Sequence, residues 1–157
     1  MKSILFVCLG NICRSPMAEG VFRHVAESRG LSDGLSVDSA GTGSWHVGNP
    51  PDERAQRAAA GRGIDLSGLR ARQVGPDDFE QFDLIVAMDD ANVDTLRRLA
   101  PDAAHDRIRL FLEFTAGGTV REVPDPYYGG EEGFDHVLDL IEAAARGLAD
   151  HIAPRKG

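Results

Sequence analysis

Short apolar runs alternate along this chain with longer segments whose apolar residues recur every three or four positions. The apolar runs predict strands at Ser3–Val7, Leu35–Ser39, Phe82–Met88 and Arg107–Leu112. The periodic segments predict helices that start near Ser15-Pro16 and that cover Asp52–Arg62, Ala91–Leu99 and Gly133–Ile152. Strands that alternate with helices favour parallel pairing and right-handed crossovers. We therefore expect an α/β domain in three layers, with helices on both faces of the sheet.

The first strand and the helix after it point to the place of a functional site. Ser3–Val7 is apolar almost throughout, which is typical of a strand buried on both faces. Pro16 at the first helical position and Glu19 in the first turn support a helix start at this point. In open parallel sheets, ligands bind beyond the carboxyl ends of the strands. The loop between Val7 and Pro16 is therefore the first candidate for a site.

Length, charge and cysteine content narrow the class of protein. A chain of 157 residues fits a single domain, 1–157. Its net charge of −8 disfavours nucleic acid and anionic membranes as partners, since both attract surfaces rich in Lys and Arg. Two cysteines, Cys8 and Cys13, are too few for a zinc site or a disulfide scaffold. We expect a cytoplasmic protein with reduced thiols and no metal, either monomeric or weakly self-associating.

The loop Cys8–Ser15 has the composition of an anion site. Successive N–H groups at a strand-to-helix turn can converge on one anion, and the helix dipole adds positive potential. Gly10 permits backbone angles closed to other residues, and Arg14 offers a planar fork to two phosphate oxygens. The same field favours the thiolate of Cys8. The loop lacks the Gly-Lys-Ser/Thr ending of nucleotide-binding loops, so it predicts covalent phosphoryl transfer to Cys8.

Six segments extend this pattern across nearly the whole chain. They are VCLGNICRSPMAE at 7–19, VDSAGT at 37–42, WHVGNPPD at 45–52, ARQV at 71–74, MDDAN at 88–92 and DPYYGG at 125–130. Together they resemble the low-molecular-weight protein tyrosine phosphatases. The resemblance implies a flavodoxin-like fold with a sheet of four parallel strands and no cofactor. It also implies hydrolysis of phosphotyrosine in a protein substrate, for which a bacterial tyrosine kinase is one candidate.

The resemblance assigns roles to individual residues. Asp125 would be the general acid and base; without the resemblance, a turn residue in a Pro-rich loop would be the preferred interpretation of this Asp. Ser15 would direct its hydroxyl at the Cys8 sulfur or cap the helix, and Asp89 is interpreted as a helix cap. Phosphate would be held by Arg14 and by the loop residues Leu9, Gly10, Asn11, Ile12 and Cys13.

Further residues are expected to support the loop and to shape the pocket. Ser39 would bond to Asn11 and hold the loop open. Many relatives carry His where this chain has Leu69, so the support is expected to depend on Ser39 alone or on a water. The walls of a slot for an aromatic ring would come from Trp45, Tyr127 and Tyr128, together with Leu9 and Ile12.

Two other functions and one regulatory device remain open at this stage. Relatives that dephosphorylate arginine have Thr in place of Ile12, whose apolar side chain favours an aromatic ring. A non-catalytic phosphotyrosine-binding module is the alternative from another class. Cys13 lies in the same loop as Cys8 and could trap an oxidised Cys8 as a disulfide.

Overall fold

A parallel sheet of four strands forms the centre of the molecule. The computed structural model describes residues 2–127 and 130–153 and, of Glu131, the backbone only. The strands are β1 (Lys2–Cys8), β2 (Leu35–Gly41), β3 (Leu84–Ala87) and β4 (Ile108–Leu110), in the order β2-β1-β3-β4. The helices are α1 (Arg14–Ser28), α2 (Glu53–Ala60), α3 (Asp78–Gln81), α4 (Asp90–Leu99) and α5 (Glu131–Ile152). The predicted α/β, flavodoxin-like architecture is confirmed.

Strand β1 contributes to hydrophobic cores on both faces of the sheet, because successive side chains of a strand point to opposite faces. Ile4 and Phe6 pack in the core shared with α1, α2 and α5. Leu5 and Val7 pack in the core shared with α3 and α4. All four side chains are at most 1% exposed. Central placement between β2 and β3 explains why this strand is apolar from Ile4 onward.

The register brings the carboxyl ends of the strands to one edge of the sheet. Cys8, the last residue of β1, pairs with Gly41, the last residue of β2. Val7 pairs with Ala87 at the end of β3. The loops that leave β1, β2 and β3 therefore start side by side, and this edge carries the candidate site.

The predicted elements are all present, with differences at their ends. Strand β2 continues to Gly41, whereas β3 and β4 are shorter than predicted, and Phe111–Phe114 forms a 3-10 turn directly after β4. Helix α3 was not predicted, because four residues are too few to show helical periodicity. In the described part of the chain, no helix is long and apolar enough to cross a membrane.

Candidate active site

The loop between β1 and α1 has three carbonyl groups turned outward. The carbonyls of Cys8, Leu9 and Ile12 accept hydrogen bonds of 2.8–2.9 Å from the backbone N–H groups of Thr42, Gly43 and Asp52. In a trans peptide the N–H that follows a carbonyl points the opposite way. The N–H groups of Leu9, Gly10 and Cys13 therefore point away from these partners, and all three residues line the cleft. Converging amides of this kind form an anion cradle.

Gly41 allows the segment after β2 to pass directly against the loop. A Cβ at Gly41 would lie 2.8 Å from the Leu9 carbonyl oxygen and 3.2 Å from the Asn11 nitrogen. Real Cβ atoms do not approach backbone atoms so closely, so the position requires glycine. This contact gives a physical reason for the Gly in the VDSAGT segment.

Cys8 lies at the centre of the cradle. Its sulfur is 3.0 Å from the Ser15 hydroxyl and accepts the Asn11 N–H at 3.3 Å. Asn11 has a φ of 57°, the left-handed conformation that Asn tolerates better than most residues. This conformation turns the Asn11 amide back toward the sulfur. Two donors therefore face the atom that would carry the negative charge of a thiolate.

The side chain of Asn11 connects the loop to two neighbouring segments. Its Nδ2 donates to Ser15 Oγ at 2.8 Å and to Ser39 Oγ at 3.0 Å. Its Oδ1 accepts the backbone N–H of Arg72 at 3.0 Å. The expected contact with Ser39 is present. Arg72 and Ser15 are additional partners, so the side chain of Asn11 does not rest on Ser39 alone, and Leu69 lies half-buried against the hydrophobic core.

A buried carboxylate sets the direction of this network. Glu19, 2% exposed, accepts the Ser39 hydroxyl on Oε1 at 2.7 Å and faces Arg23 with Oε2 at 2.7 Å. Since the Ser39 hydrogen is committed to Glu19, the Ser39 oxygen accepts from Asn11. Burial raises the pKa of Glu19, and the opposing effects of Ser39 and Arg23 do not cancel the rise.

The hydrogen-bond direction set by Glu19 extends to Cys8. The Ser15 oxygen also accepts from Asn11, so its own hydrogen is available to the Cys8 sulfur 3.0 Å away. A longer alternative, the Ala40 carbonyl, lies at 3.5 Å. The sequence predicts Ser15, Asn11 and Ser39 as site residues, but it indicates Glu19 only as a residue of the first helical turn. Its place on the buried face of an amphipathic helix was the available signal.

Arg14 is held beneath the cleft by a carboxylate. Its side chain is 4% exposed, and Nη1 donates to Asp89 Oδ2 at 2.7 Å and to the Val123 carbonyl at 3.0 Å. Burial opposes the charged form, but Cys8 and the bonded Asp89 outweigh it, and the pKa of Arg14 is raised. Asp89 Oδ1 also caps α4 through the Asn92 N–H at 2.8 Å. The cap interpretation of Asp89 is correct, and Asp89 additionally orients Arg14.

Asp125 approaches the cradle from a different loop. Its Oδ2 lies 3.7 Å from Arg14 Nη2, and the side chain is 42% exposed. Its Oδ1 accepts the Tyr127 N–H at 3.0 Å, so the turn also organises itself locally. The structure therefore brings Asp125 to the same cleft as Cys8, a placement that a simple turn residue would not require.

The cleft has a volume of about 320 Å³ and combines polar groups at its base with rings at its mouth. It is lined by Cys8, Leu9, Gly10, Ile12, Cys13, Arg14, Trp45, His46, Asp125 and Tyr127. Trp45 is 72% exposed, and its ring lies against Gly43, where a Cβ would come within 1.8 Å of it. His46 also lines the cleft, and no sequence signal separates it from the other histidines. Tyr128 lies outside the described residues.

Cys13 differs from Cys8 in its surroundings. Its side chain is 5% exposed and lies in the hydrophobic core on the α1 side of the sheet. Burial, the carboxylate of Asp52 and the nearby Cys8 raise the pKa of Cys13, so its thiol stays protonated. Both cysteines are free thiols. Across residues 2–127 and 130–153, no group of three or more His, Cys, Asp or Glu side chains is placed to hold a metal ion.

Fold and site together define an α/β protein with a cysteine at the centre of an anion-binding loop. Residues 3–156 match the family model described as low molecular weight phosphotyrosine protein phosphatase. The chain is 44% identical over 156 residues to the low molecular weight protein-tyrosine-phosphatase YfkJ of Bacillus subtilis, covering 99% of each chain. The crystal structure of YfkJ superimposes with a TM-score of 0.91, covering 97% of this chain and 94% of that one.

Two further crystal structures are similar. A protein tyrosine phosphatase from Entamoeba histolytica, with Hepes in its active site, has a TM-score of 0.91 at 41% identity and covers 94% of each chain. Wzb of Vibrio vulnificus, in complex with benzylphosphonate, has a TM-score of 0.84 at 30% identity, over 96% of this chain and 99% of that one. The chain belongs to the low molecular weight phosphotyrosine protein phosphatase family.

Proposed function

We propose that this chain hydrolyses phosphotyrosine in proteins through a phosphocysteine intermediate on Cys8. The observation that carries the proposal is the position of the Cys8 sulfur, 3.0 Å from Ser15 Oγ and 3.3 Å from the Asn11 nitrogen, at the centre of the cradle. Arg14 and Asp125 reach the same cleft from different elements. Family membership supports the same reaction class.

In the first step the Cys8 thiolate attacks the phosphorus atom. The sulfur–phosphorus bond forms while the bond from phosphorus to the tyrosine oxygen breaks, and Asp125 gives its proton to the departing phenolate. The phosphoryl oxygens are held by the amides of Leu9, Gly10 and Cys13 and by the Arg14 fork.

In the second step a water molecule attacks the phosphocysteine. Its proton passes to the Asp125 carboxylate, the sulfur–phosphorus bond breaks, and inorganic phosphate leaves. The Ser15 hydroxyl, oriented by Asn11 and Glu19, stabilises the Cys8 thiolate as it departs. One set of loop donors thereby serves both steps.

The walls of the cleft favour an aromatic phosphate ester. Ile12, Trp45 and Tyr127 line the cleft with apolar surface above the phosphate position. Benzylphosphonate, which carries a ring beside a phosphonate, is bound by the similar Wzb. Ile12 presents no hydroxyl to a guanidinium group, and this supports phosphotyrosine over phosphoarginine as the substrate.

Turnover of matched phosphopeptides tests the proposal. Wild type should cleave a phosphotyrosine peptide with a higher kcat/KM than the same peptide carrying phosphoserine or phosphoarginine, and Ile12→Thr should move the preference toward phosphoarginine. An apolar wall discriminates only modestly, by roughly 10–200-fold. If wild type prefers phosphoarginine, the chain is an arginine phosphatase. If it binds phosphotyrosine without turnover, it is a binding module.

For the physiological substrate we propose a tyrosine-phosphorylated protein, with a bacterial tyrosine kinase as the first candidate. A variant that binds but cannot complete the reaction, Asp125→Ala, should retain such a protein in a pull-down from cells. Vanadate should release it, because vanadate competes for the same cradle. Retention that vanadate does not reverse would contradict this mode of binding.

A further inference from the structure

Two separate routes connect the phosphate loop to the loop that carries Asp125. The first runs through Arg14, which bonds the Val123 carbonyl and lies 3.7 Å from Asp125. In the proposed reaction, however, the Arg14 fork is occupied by phosphate oxygens. Its contact with Asp125 then cannot by itself hold the acid in place during the chemical step.

The second route bypasses Arg14 and runs through the start of α2. The Asp52 N–H donates to the Ile12 carbonyl at 2.8 Å, which attaches α2 to the phosphate loop. Asp52 Oδ1 accepts the Arg54 N–H at 2.8 Å and Nε at 3.1 Å, and Oδ2 accepts Arg54 Nη2 at 3.0 Å. The planar fork of Arg54 is therefore aligned by a carboxylate that is itself fixed to the loop.

Arg54 then reaches the acid-bearing loop. Its Nη2 donates to the Tyr127 carbonyl at 2.8 Å, and the Tyr127 N–H donates to Asp125 Oδ1 at 3.0 Å. The guanidinium carbon lies 5.6 Å from the centre of the Tyr127 ring and 4.8 Å from the centre of the Phe134 ring. A guanidinium stacked on two rings and bonded to a carboxylate has little freedom to turn.

We propose that Arg54 is a positioning residue for the general acid. It fixes the Tyr127 end of the turn, and through the Asx contact it holds the Asp125 carboxyl over the cleft while Arg14 grips the phosphate. This inference rests on the proposed function, because it assumes that Asp125 protonates the leaving group. In this assignment Arg54 acts through Asp125, and it is not among the residues that line the cleft.

The dependence of the rate on the leaving group tests the inference. With phenyl phosphate, a poor leaving group, Arg54→Ala should lower kcat by roughly ten- to a hundredfold, since a misplaced acid loses most of its effect. With a strongly activated aryl phosphate, kcat should fall less than about threefold, because that leaving group needs no proton. Inhibition by vanadate should stay within about twofold, because the cradle is intact.

Two comparisons distinguish positioning from general damage. Glu53→Ala, at an exposed position of the same helix, should leave kcat for both substrates unchanged. In an Asp125→Ala background, Arg54→Ala should cost nothing further, because it acts only through that carboxyl. Arg54→Lys keeps the charge without the fork, should show the same pattern, and answers the question if the alanine variant does not fold.

The role of Arg54 would be overturned if Arg54→Ala lowered kcat equally for both substrates. It would also be overturned if Arg54→Ala lowered kcat further in the Asp125→Ala background. The underlying assignment is checked in the same experiment. If Asp125→Ala itself leaves the leaving-group dependence unchanged, the acid assignment and this inference both fail. If Asp125→Ala steepens the dependence of kcat on the leaving group and neither Arg54→Ala nor Arg54→Lys does so, only the inference about Arg54 fails.

Discussion

The phosphate loop and the loop that carries Asp125 face each other across the cleft and are constructed differently. In the phosphate loop, Cys8, Asn11 and Arg14 are each 3% exposed and Ser15 is fully buried. The Asp125 side chain is 42% exposed, and its hydrogen bond to the Tyr127 N–H stays within its own turn. One region is enclosed by neighbouring elements on several sides, and the other is attached at a few points.

The difference corresponds to what each region must do. Donors that stabilise charge in a transition state contribute most when they need no reorganisation, so a buried and bonded cradle suits the phosphoryl group. The acid must let a ring enter, let the phenol leave and then admit water, so an exposed loop suits its role. Under the proposed function, the molecule combines a preorganised nucleophile with an acid that depends on a small number of positioning contacts. Substitutions can change either of the two regions separately.

The largest effect is expected for Cys8→Ser, which removes the nucleophile and leaves the cradle in place. Turnover should fall by at least about a hundredfold, since losing a nucleophile costs orders of magnitude. Binding of phosphate should persist, because its donors are backbone amides and Arg14. Steady-state kinetics and phosphate titration measure the two quantities. Activity above roughly one per cent of wild type would contradict a Cys8 intermediate.

Asp125→Ala perturbs the exposed side. It should lower kcat for phenyl phosphate by about 10²–10³, within the range of general acid catalysis, and lower kcat far less for an activated aryl phosphate. Vanadate inhibition should be nearly unchanged, because the carboxyl is not part of the cradle. If the affinity for vanadate fell as much as kcat for phenyl phosphate, Asp125 would contribute to phosphate binding as well, and the two regions would not act independently.

Substitutions of Glu19 test whether the phosphate loop depends on the direction of the buried hydrogen bonds that start at this carboxylate. Glu19→Ala removes the acceptor of the Ser39 hydroxyl, and it should lower kcat by about tenfold and slow the alkylation of Cys8 by iodoacetamide at neutral pH. Glu19→Gln keeps an acceptor at Oε1 and should have a smaller effect. Glu27→Ala, an exposed residue of the same helix, is the matched control. Equal behaviour of the Glu19 and Glu27 variants would exclude a relay through Ser39.

The same residue gives a dependence of stability on pH. Burial raises the pKa of Glu19 above its usual value of 4.5, so ionisation is harder in the folded than in the unfolded chain. Its contribution to stability is complete below pH 4.5 and is lost as pH rises through the folded pKa. The stability of Glu19→Gln relative to wild type should therefore increase with pH over that window. Urea unfolding at several pH values measures it, and a constant difference would contradict the shift.

The smallest effect on activity is expected for Cys13→Ser, which should stay within about twofold of wild type, because Cys13 supplies its backbone amide rather than its thiol.

Mild peroxide should inactivate wild type, and dithiothreitol should restore it if Cys13 traps the oxidised Cys8 as a disulfide. Because the thiolate is the attacking form and the pKa of Cys13 is raised, trapping should become faster as pH increases. Cys13→Ser should lose this recovery. A wild-type Cys8 carrying only sulfinic or sulfonic acid, with Cys13 free, would exclude the trap.

Much of the fold could be predicted because it is encoded locally. An unbroken apolar run such as that in β1 indicates a strand buried on both faces, and alternating strands and helices leave few arrangements other than a parallel sheet. The loop from Cys8 to Ser15 was recognisable for the same reason, since its glycine, cysteine and arginine act within a few residues of one another. Short elements such as α3 were missed, because four residues carry no period.

Apart from the Ser39–Asn11 contact, only the tertiary structure decided which residues support the loop. Asp89 contacts Arg14 across 75 residues of sequence, Val123 contacts it across 109, and Ser39 contacts Glu19 across 20. His46 lies in the loop after β2 and Arg54 in the first turn of α2, and each reaches the site only because these segments meet at the edge of the sheet. The sequence around His46 and Arg54 does not distinguish these two from other surface or helix residues, whereas Ser39 and Asp89 lie in recognisable segments and Glu19 lies on the buried face of a helix. Their contacts depend on the register of the strands and the packing of the helices, which place distant side chains within hydrogen-bond distance only after the chain has folded.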